Sequence, residues 1–160
     1  MGLFDAFKKK EMVISAPLKG RCVSLKEVSD PTFAEEILGK GVAIIPTDGK
    51  IYAPAAGVVT TIFPTGHAVG MTTRDGVELL IHVGIDTVAL KGDGFIIHGK
   101  EEQKVEKGDL LIEADLDKIK AAGYEVITPV IVCNTDEYLD IIGHTDREVS
   151  AGDDIISIKK

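Results

Sequence analysis

Four histidines are present in this chain, and two of them bracket one segment, "HAVGMTTRDGVELLIH", which runs from His67 to His82. An imidazole can act as a base, a nucleophile or a metal ligand near neutral pH, so a pair held together would be a candidate site. The segment reads as an apolar run, a turn at Arg74, Asp75 and Gly76, and a second apolar run, which is a hairpin pattern. If the loop is Thr73–Gly76, Thr72 faces Val77 and His67 lies directly across from His82. If Asp75-Gly76 forms a two-residue turn, His82 faces Val69 and His67 is its diagonal neighbour on the same face. A three- or five-residue loop would instead send the two rings to opposite faces. The expectation is that they meet, because directly opposed Cβ atoms lie roughly 4.5–5.5 Å apart. On this reading Glu78 and Leu80 share the side of His82, and Val69 and Met71 share the side of His67. Val77, Leu79, Ile81 and Val83 point to the core. The imidazoles would then sit on a partly apolar, exposed face suited to docking.

Paired histidines admit three explanations: a cross-strand contact without function, part of a metal site, or a phosphoryl-transfer pair. Zinc normally takes three or four protein ligands, and no third ligand at a familiar spacing accompanies these two. In phosphoryl transfer one imidazole nitrogen attacks while a neighbouring N–H donor stabilises the incoming oxygens. Spacing alone leaves the three open.

The elements that must position the pair are mostly strands. A chain of 160 residues with 44% hydrophobic content suggests one domain with a core of its own. Apolar stretches fall short of the roughly 18 residues that would span a bilayer, so a soluble, cytoplasmic protein is expected. The net charge of −8, with lysines and arginines not gathered into a stripe, argues against a nucleic-acid partner. Cys22 and Cys133 lack a Cys-x-x-Cys spacing and read as reduced, buried thiols. Strands are expected at Met12–Ala16, Arg21–Leu25, Val42–Ile45, Val58–Phe63, Ala68–Thr72, Val77–Val83, Gly94–Ile97, Leu110–Ala114, Val130–Cys133 and Ile155–Ile158. Helices are expected at Pro31–Leu38, Leu116–Ala122 (stopped by Gly123) and Asp136–Ile142. The fold class that follows is all-β: an antiparallel β-sandwich with a few short helices. Two sequence echoes point to duplicated halves. Ala-Pro-x-x-Gly occurs at Ala16–Gly20 and Ala53–Gly57, and Val-x-x-Gly-Asp occurs at Val105 and Val149, each time feeding a strand.

The segment "GVELLIHVGIDTVALKGDGF" (Gly76–Phe95) resembles the phosphorylation-site signature of the glucose-class enzyme IIA proteins of the bacterial phosphoenolpyruvate-dependent sugar phosphotransferase system. The resemblance extends, in order, through "APLKG", "PTFAEEILGKGVAIIPT", "APAAGVV", "IFPTGHAV" and "GDDIISIKK". It implies an antiparallel β-sandwich and a phosphocarrier activity. It implies that His82 accepts a phosphoryl group on Nε2 from the histidine phosphocarrier HPr and passes it to a cysteine of a IIB domain. His67 matches the second histidine of that site and Thr65 a nearby hydroxyl residue. Gly84 matches the position whose carbonyl holds Nδ1–H of the phosphorylated ring. Asp30 and Asp86 match acidic rim residues that can pair with an HPr arginine. Phe33, Ile37, Leu38, Phe63, Leu80 and Val88 match the docking face, with Leu80 and Gly70 smaller than the residues seen in relatives. No cofactor is obligatory. The resemblance also raises a zinc site shared with a regulatory partner such as glycerol kinase, to which His67 and His82 would contribute and near which Glu35 would dock.

His98 and His144 match no family site and read as loop or surface histidines. A zinc peptidase would need a His-x-His pair, and a lipoyl or biotinyl carrier would need Met-Lys-Met; the sequence has neither. Residues 1–11 are expected to form a flexible tail and residues 12–160 a single, free-standing enzyme IIA domain. Within the tail, Leu3, Phe4 and Phe7 would share one side of a helix ending at Lys8, Lys9 and Lys10, the pattern of a weak membrane-surface contact.

Overall fold

A computed structural model describes residues 11–160. The strands are β1 (Glu11–Ser15), β2 (Gly20–Ser24), β3 (Lys40–Pro46), β4 (Lys50–Tyr52), β5 (Gly57–Ile62), β6 (Ala68–Thr73) and β7 (Glu78–His82). They continue as β8 (Phe95–Ile97), β9 (Lys104–Val105), β10 (Leu110–Ala114), β11 (Thr128–Val132), β12 (Asp140–Gly143), β13 (Arg147–Val149) and β14 (Asp154–Lys159). Two α-helices are short: α1 (Pro31–Ala34), capped by Asp30, and α2 (Leu116–Ala121), capped by Asp115. An eight-stranded antiparallel sheet runs β13-β2-β3-β11-β7-β6-β5-β9, and two three-stranded sheets run β1-β14-β12 and β4-β10-β8.

Alternation along the large sheet divides its side chains between two cores. Val42, Ile44, Val69, Met71, Leu79, Ile81, Val130 and Val132 join the main cluster, which also takes Ile14, Leu111, Ile112, Ile155 and Ile156 from the smaller sheets. On the opposite face Val23, Ala43 and Ile131 pack with Leu25, Val28, Phe33, Ile85 and Ile127, and half-buried Leu80 leans on this second cluster. Strand β11 is covered on both faces, which is why every one of its residues is buried and its sequence, Thr-Pro-Val-Ile-Val, lacks polar alternation.

The duplication expected from the two echoes is visible in the hydrogen bonds. Gly20 opens β2 opposite Val149, and Gly57 opens β5 opposite Val105, so each Ala-Pro-x-x-Gly turn meets a Val-x-x-Gly-Asp turn. Ala16 N–H donates to the Asp153 carbonyl and Ala53 N–H to that of Asp109; Gly152 and Gly108 return the bond to Ala16 and Ala53. The halves also clasp each other reciprocally, Ser15 N–H to Pro54 O and Tyr52 N–H to Pro17 O.

Three expectations need correction. The segment Asp136–Ile142 is not a helix: Thr135–Glu137 makes a single 3₁₀ turn and Asp140–Gly143 forms β12. Pairing with β14, which would otherwise be a bare edge here, overrides local helical preference. Helix α1 ends at Ala34 rather than Leu38, because Glu36 turns into a left-handed conformation at φ 59°. Cys22 is buried as expected, but Cys133 is exposed. The short strands β4, β9 and β13 carry too few residues to show a pattern. Strand β1 takes in Glu11, and the rest of the expected tail, with its membrane-contact residues, lies outside the described residues. Among the described residues no helix is long and apolar enough to cross a membrane.

Two strand glycines give a stability test. A Cβ on Gly57 would lie 2.2 Å from the Thr72 carbonyl oxygen, whereas one on Gly70 would come no closer than 3.3 Å, to the Thr60 hydroxyl. Gly57→Ala should therefore cost on the order of 2–3 kcal/mol by overpacking, read as a lower urea midpoint. Gly70→Ala should leave that midpoint nearly unchanged.

Candidate functional site

The hairpin between β6 and β7 has the register that sequence reasoning set aside. Thr73 N–H donates to the Val77 carbonyl at 2.8 Å and Gly76 N–H to that of Thr73 at 2.9 Å, so the loop is the three residues Arg74, Asp75 and Gly76. Gly76, at φ 92°, supplies the left-handed residue such a loop needs. Ala68 therefore faces His82, and Val69 and Met71 turn into the core rather than sharing a face with the imidazoles.

Strict alternation would now send His67 inward too, yet its ring centroid lies 5.1 Å from that of His82, edge-on at 77°. The chain escapes alternation because β6 begins only at Ala68. Just before it, Gly66 adopts φ 74° and donates to the Phe63 carbonyl at 2.7 Å. A Cβ at Gly66 would lie 2.8 Å from Phe95 Cβ, so this turn fits glycine alone. The His67 carbonyl then accepts from Val83 N–H at 2.7 Å, which ties the two histidine segments by backbone just past the ladder.

Each ring has a fixed partner. His82 Nδ1 lies 2.7 Å from the Gly84 carbonyl oxygen, which can only accept, so Nδ1 carries a proton and Nε2 of the neutral ring holds the lone pair. Gly84, at φ 77°, must be glycine: a Cβ there would lie 2.6 Å from Thr87 Cγ2 and 2.7 Å from the Glu125 carbonyl oxygen. His67 Nδ1 lies 2.5 Å from Thr65 Oγ1. Phe33 tilts against His82 at 5.0 Å and Phe63 stands edge-on to His67 at 5.1 Å, making a row of four rings.

Burial governs the protonation of both histidines. His67 is 4% exposed, and desolvation together with the neighbouring His82 lowers its pKa to about 4. His82 is also pushed down by desolvation; the Gly84 carbonyl, Asp30 and Asp86 partly oppose this by favouring the cation. At neutral pH both rings are therefore neutral.

The remaining expected residues differ in exposure. Ile37, Leu38, Phe63 and Val88 are exposed apolar side chains, Ile37 by 69% and Val88 by 53%. Phe33 is 4% exposed and belongs to the second core, so it is a wall behind His82 and not part of the open surface. Leu80 is half-buried, and beside it a hollow of about 410 Å³ opens among Phe63, Gly70, Glu78 and Cys133. Asp30 is partly occupied as a helix cap, accepting from Thr32 N–H at 2.9 Å, while Asp86 is exposed and left-handed at φ 60°. Glu35 is exposed at the end of α1. His98 and His144 lie apart from this row, paired with Glu113 and Ser157. Among the described residues no group of three or more His, Cys, Asp or Glu could hold a metal, so His67 and His82 could supply only part of one.

Sequence reasoning missed Thr87, whose side chain is fully buried and donates to the Val83 carbonyl at 2.6 Å. A lone threonine in a loop gives no signal of this before the fold is known.

The comparisons with known proteins agree on one family. Residues 12–138 match the family model described as phosphoenolpyruvate-dependent sugar phosphotransferase system, EIIA 1. The chain is 44% identical to the glucose-specific EIIA component of Halalkalibacterium halodurans, over 97% of this chain and 90% of that protein. It is 40% identical to the glucose-specific EIIA component of Haemophilus influenzae over the whole of both. It also spans 23% of the beta-glucoside-specific EIIBCA component of Halalkalibacterium halodurans, at 47% identity over 92% of this chain. It spans 21% of the corresponding Bacillus subtilis protein, at 53% identity over 79% of this chain. The solved structure of glucose permease IIA from Mycoplasma capricolum superposes with a TM-score of 0.86 at 37% identity, covering 98% of this chain and 99% of that one. With its β-sandwich and full-length relatives of that kind, the chain belongs to the EIIA family of the phosphoenolpyruvate-dependent sugar phosphotransferase system.

Proposed function

We propose that this protein is the phosphocarrier of a sugar phosphotransferase system, with His82 as the residue that carries the phosphoryl group. The observation that supports this most directly is the Nδ1–H bond from His82 to the Gly84 carbonyl, which leaves Nε2 as an unprotonated nucleophile. Nε2 forms a bond to phosphorus as the donor's P–N bond breaks, and that electron pair returns to the donor imidazole of HPr. The thiolate of a IIB cysteine then attacks the same phosphorus, and the electron pair of the His82 N–P bond returns to the ring. Little protein chemistry is needed beyond alignment and charge stabilisation.

His67 fits the donor role. If the Thr65 hydroxyl donates to its Nδ1, Nε2 carries the proton and can bond a phosphoryl oxygen held on the adjacent ring. Ile37, Leu38, Phe63, Leu80 and Val88 would be covered when HPr or the IIB domain docks, excluding water from a labile N–P bond. Asp30 and Asp86 would pair with an arginine of the arriving donor. The fused EIIBCA relatives carry, by their names, IIB and IIC parts on the same chain as the IIA part, which supports a IIB acceptor here. No cofactor enters this transfer; a zinc ion could be held only if a partner adds ligands to His67 and His82. We place the protein in the cytoplasm, with a weak contact to the membrane surface through residues 1–10.

Incubation with phosphoenolpyruvate, enzyme I and HPr should add one acid-labile phosphoryl group mapped to His82 and abolished by His82→Ala. Label on His67, or label persisting in that variant, would reverse the assignment. His67→Gln should still accept phosphate while onward transfer to the IIB cysteine falls by about a hundredfold, the scale of a lost charge-stabilising donor. Equal losses in both steps would make His67 a packing residue.

The pKa shifts set the pH dependence. Because His67 titrates near pH 4 in the fold and near 6.5 when unfolded, the unfolded chain binds more protons between those values. Its contribution is therefore intact above about pH 6.5 and is lost as the pH falls toward 4. Urea titrations from pH 7 to 4 should show that decline, and His67→Gln should flatten it. For the tail, weak co-sedimentation is expected with anionic but not neutral vesicles at low salt, lost on deleting residues 1–10. Indifference to anionic vesicles would remove that contact from the proposal.

A further inference from the structure

The loop that follows β7 holds its shape through one buried side chain outside the histidine row. Val83 is the junction: its N–H donates to the His67 carbonyl at 2.7 Å, and its own carbonyl accepts from Thr87 Oγ1 at 2.6 Å. Thr87 is fully buried, and its methyl group fills the space under Gly84 that a Cβ would otherwise enter. The peptide that joins Val83 to Gly84 is thus held from the Thr87 side by a hydroxyl and a methyl. The next N–H along, that of Ile85, donates to the Glu125 carbonyl at 3.0 Å. With its neighbours pinned on both sides, the Gly84 carbonyl has one direction available, toward His82 Nδ1.

The other half of the duplicated fold provides a comparison. Matching the ladders that start at Gly20 and at Gly57 sets Val132 where Val83 stands. There Thr135 Oγ1 donates to the Val132 carbonyl, also at 2.6 Å, and accepts from Lys40 N–H at 2.9 Å. A threonine hydroxyl closing the strand exit therefore occurs in both halves. In the half without the two site histidines the threonine comes three residues after the carbonyl. In the half with them it comes four residues after, and Gly84 lies within that longer turn.

From this arrangement we infer that Thr87 is a positioning residue for phosphoryl transfer: its hydroxyl, through the Val83 carbonyl, aims the Gly84 carbonyl at His82 and so fixes which ring nitrogen stays free to attack. The inference rests on the proposed role of His82 but concerns a property of the free protein, the tautomer of that ring, which is measured without any transfer.

The test uses the full chain with Thr87→Val, which keeps the shape and removes the hydroxyl, and Thr87→Ser, which keeps the hydroxyl and removes the methyl. Nitrogen-15 NMR of the imidazole at neutral pH reads the tautomer of His82, and single-turnover transfer from phospho-HPr reads the rate. Wild type and Thr87→Ser should show Nδ1 protonated. In Thr87→Val the ring should become a mixture of tautomers, with acceptance slowed about three- to tenfold, the scale of one neutral hydrogen bond. Should Thr87→Val not fold, Thr87→Ala against Thr87→Ser carries the same comparison. An unchanged His82 tautomer in the hydroxyl-free variant overturns the inference whatever the rates do. A mixed tautomer in a protein whose wild type never accepts phosphate would uphold the positioning and overturn the phosphocarrier reading instead.

Discussion

The hydrogen bond from His82 Nδ1 to the Gly84 carbonyl is the constraint around which the site is arranged. A neutral imidazole has one protonated nitrogen, and a backbone carbonyl can only accept, so the bond assigns the proton to Nδ1 and leaves Nε2 the lone pair. That assignment requires the carbonyl to point back at a ring two residues earlier. The chain must then turn sharply, and at Gly84 it does so with φ 77° and with atoms of Thr87 and Glu125 within 2.7 Å of any added Cβ. Glycine at this position is thus demanded twice, by conformation and by space. Phe33 closes the far side of the ring, which explains why an aromatic residue next to a site for partners is 4% exposed.

Duplication explains how a sandwich of plain strands came to hold such a site at one place only. The matched ladders set Ile131 where His82 stands and Lys40 where His67 stands. Ile131 is fully buried in the second core and pairs with Leu80, the residue two before His82 on the same face. One half therefore supplies an apolar floor at the position where the other supplies an imidazole with its Nε2 unprotonated. The second cluster, with α1 folded over it, lies beneath one side of the histidine row, so the chemistry rests on packed side chains rather than on a free loop. Rigid support of this kind matters for transfer between proteins, where the donor and acceptor must each find the ring already oriented.

Much of this was legible in the sequence, and the exceptions have physical causes. Strand positions with β-branched runs and the two turn echoes were readable because alternation and Gly-Asp turns are local signals; β12 was not, because its pairing with β14 is a long-range effect acting on a helix-like segment. The meeting of His67 and His82 was anticipated, but by a register that does not occur. Counting across the hairpin assumed that both histidines lie within the ladder. In the structure the loop has three residues, and the consequence that should have separated the rings is cancelled by Gly66, which ends the strand one residue before alternation would apply to His67. The signal was present as a glycine between Thr65 and His67, yet nothing local shows that it adopts positive φ. Phe33 enters the docking face only through the resemblance, and sequence cannot say which aromatic residue of a patch turns under it.

Electrostatics joins the histidine pair to the acidic residues beside it. Desolvation keeps both imidazoles neutral, which favours a nucleophile but offers a dianionic phosphoryl group no cation on this chain's own ring pair. Asp30 and Asp86 add negative charge nearby, which by itself would disfavour holding that group. The arrangement makes physical sense only when a second protein contributes positive charge at the moment of transfer. In the proposed transfer the carboxylates would attract the partner, and the partner's cations would offset the charge moving between the rings. On the proposed reading, His82 would be left after separation with the His67 N–H and acidic neighbours rather than a cation, so a phosphoryl group there would be held by its covalent bond and by little else. A weakly stabilised group is one that the next partner can remove, and for a carrier that property is as necessary as acceptance.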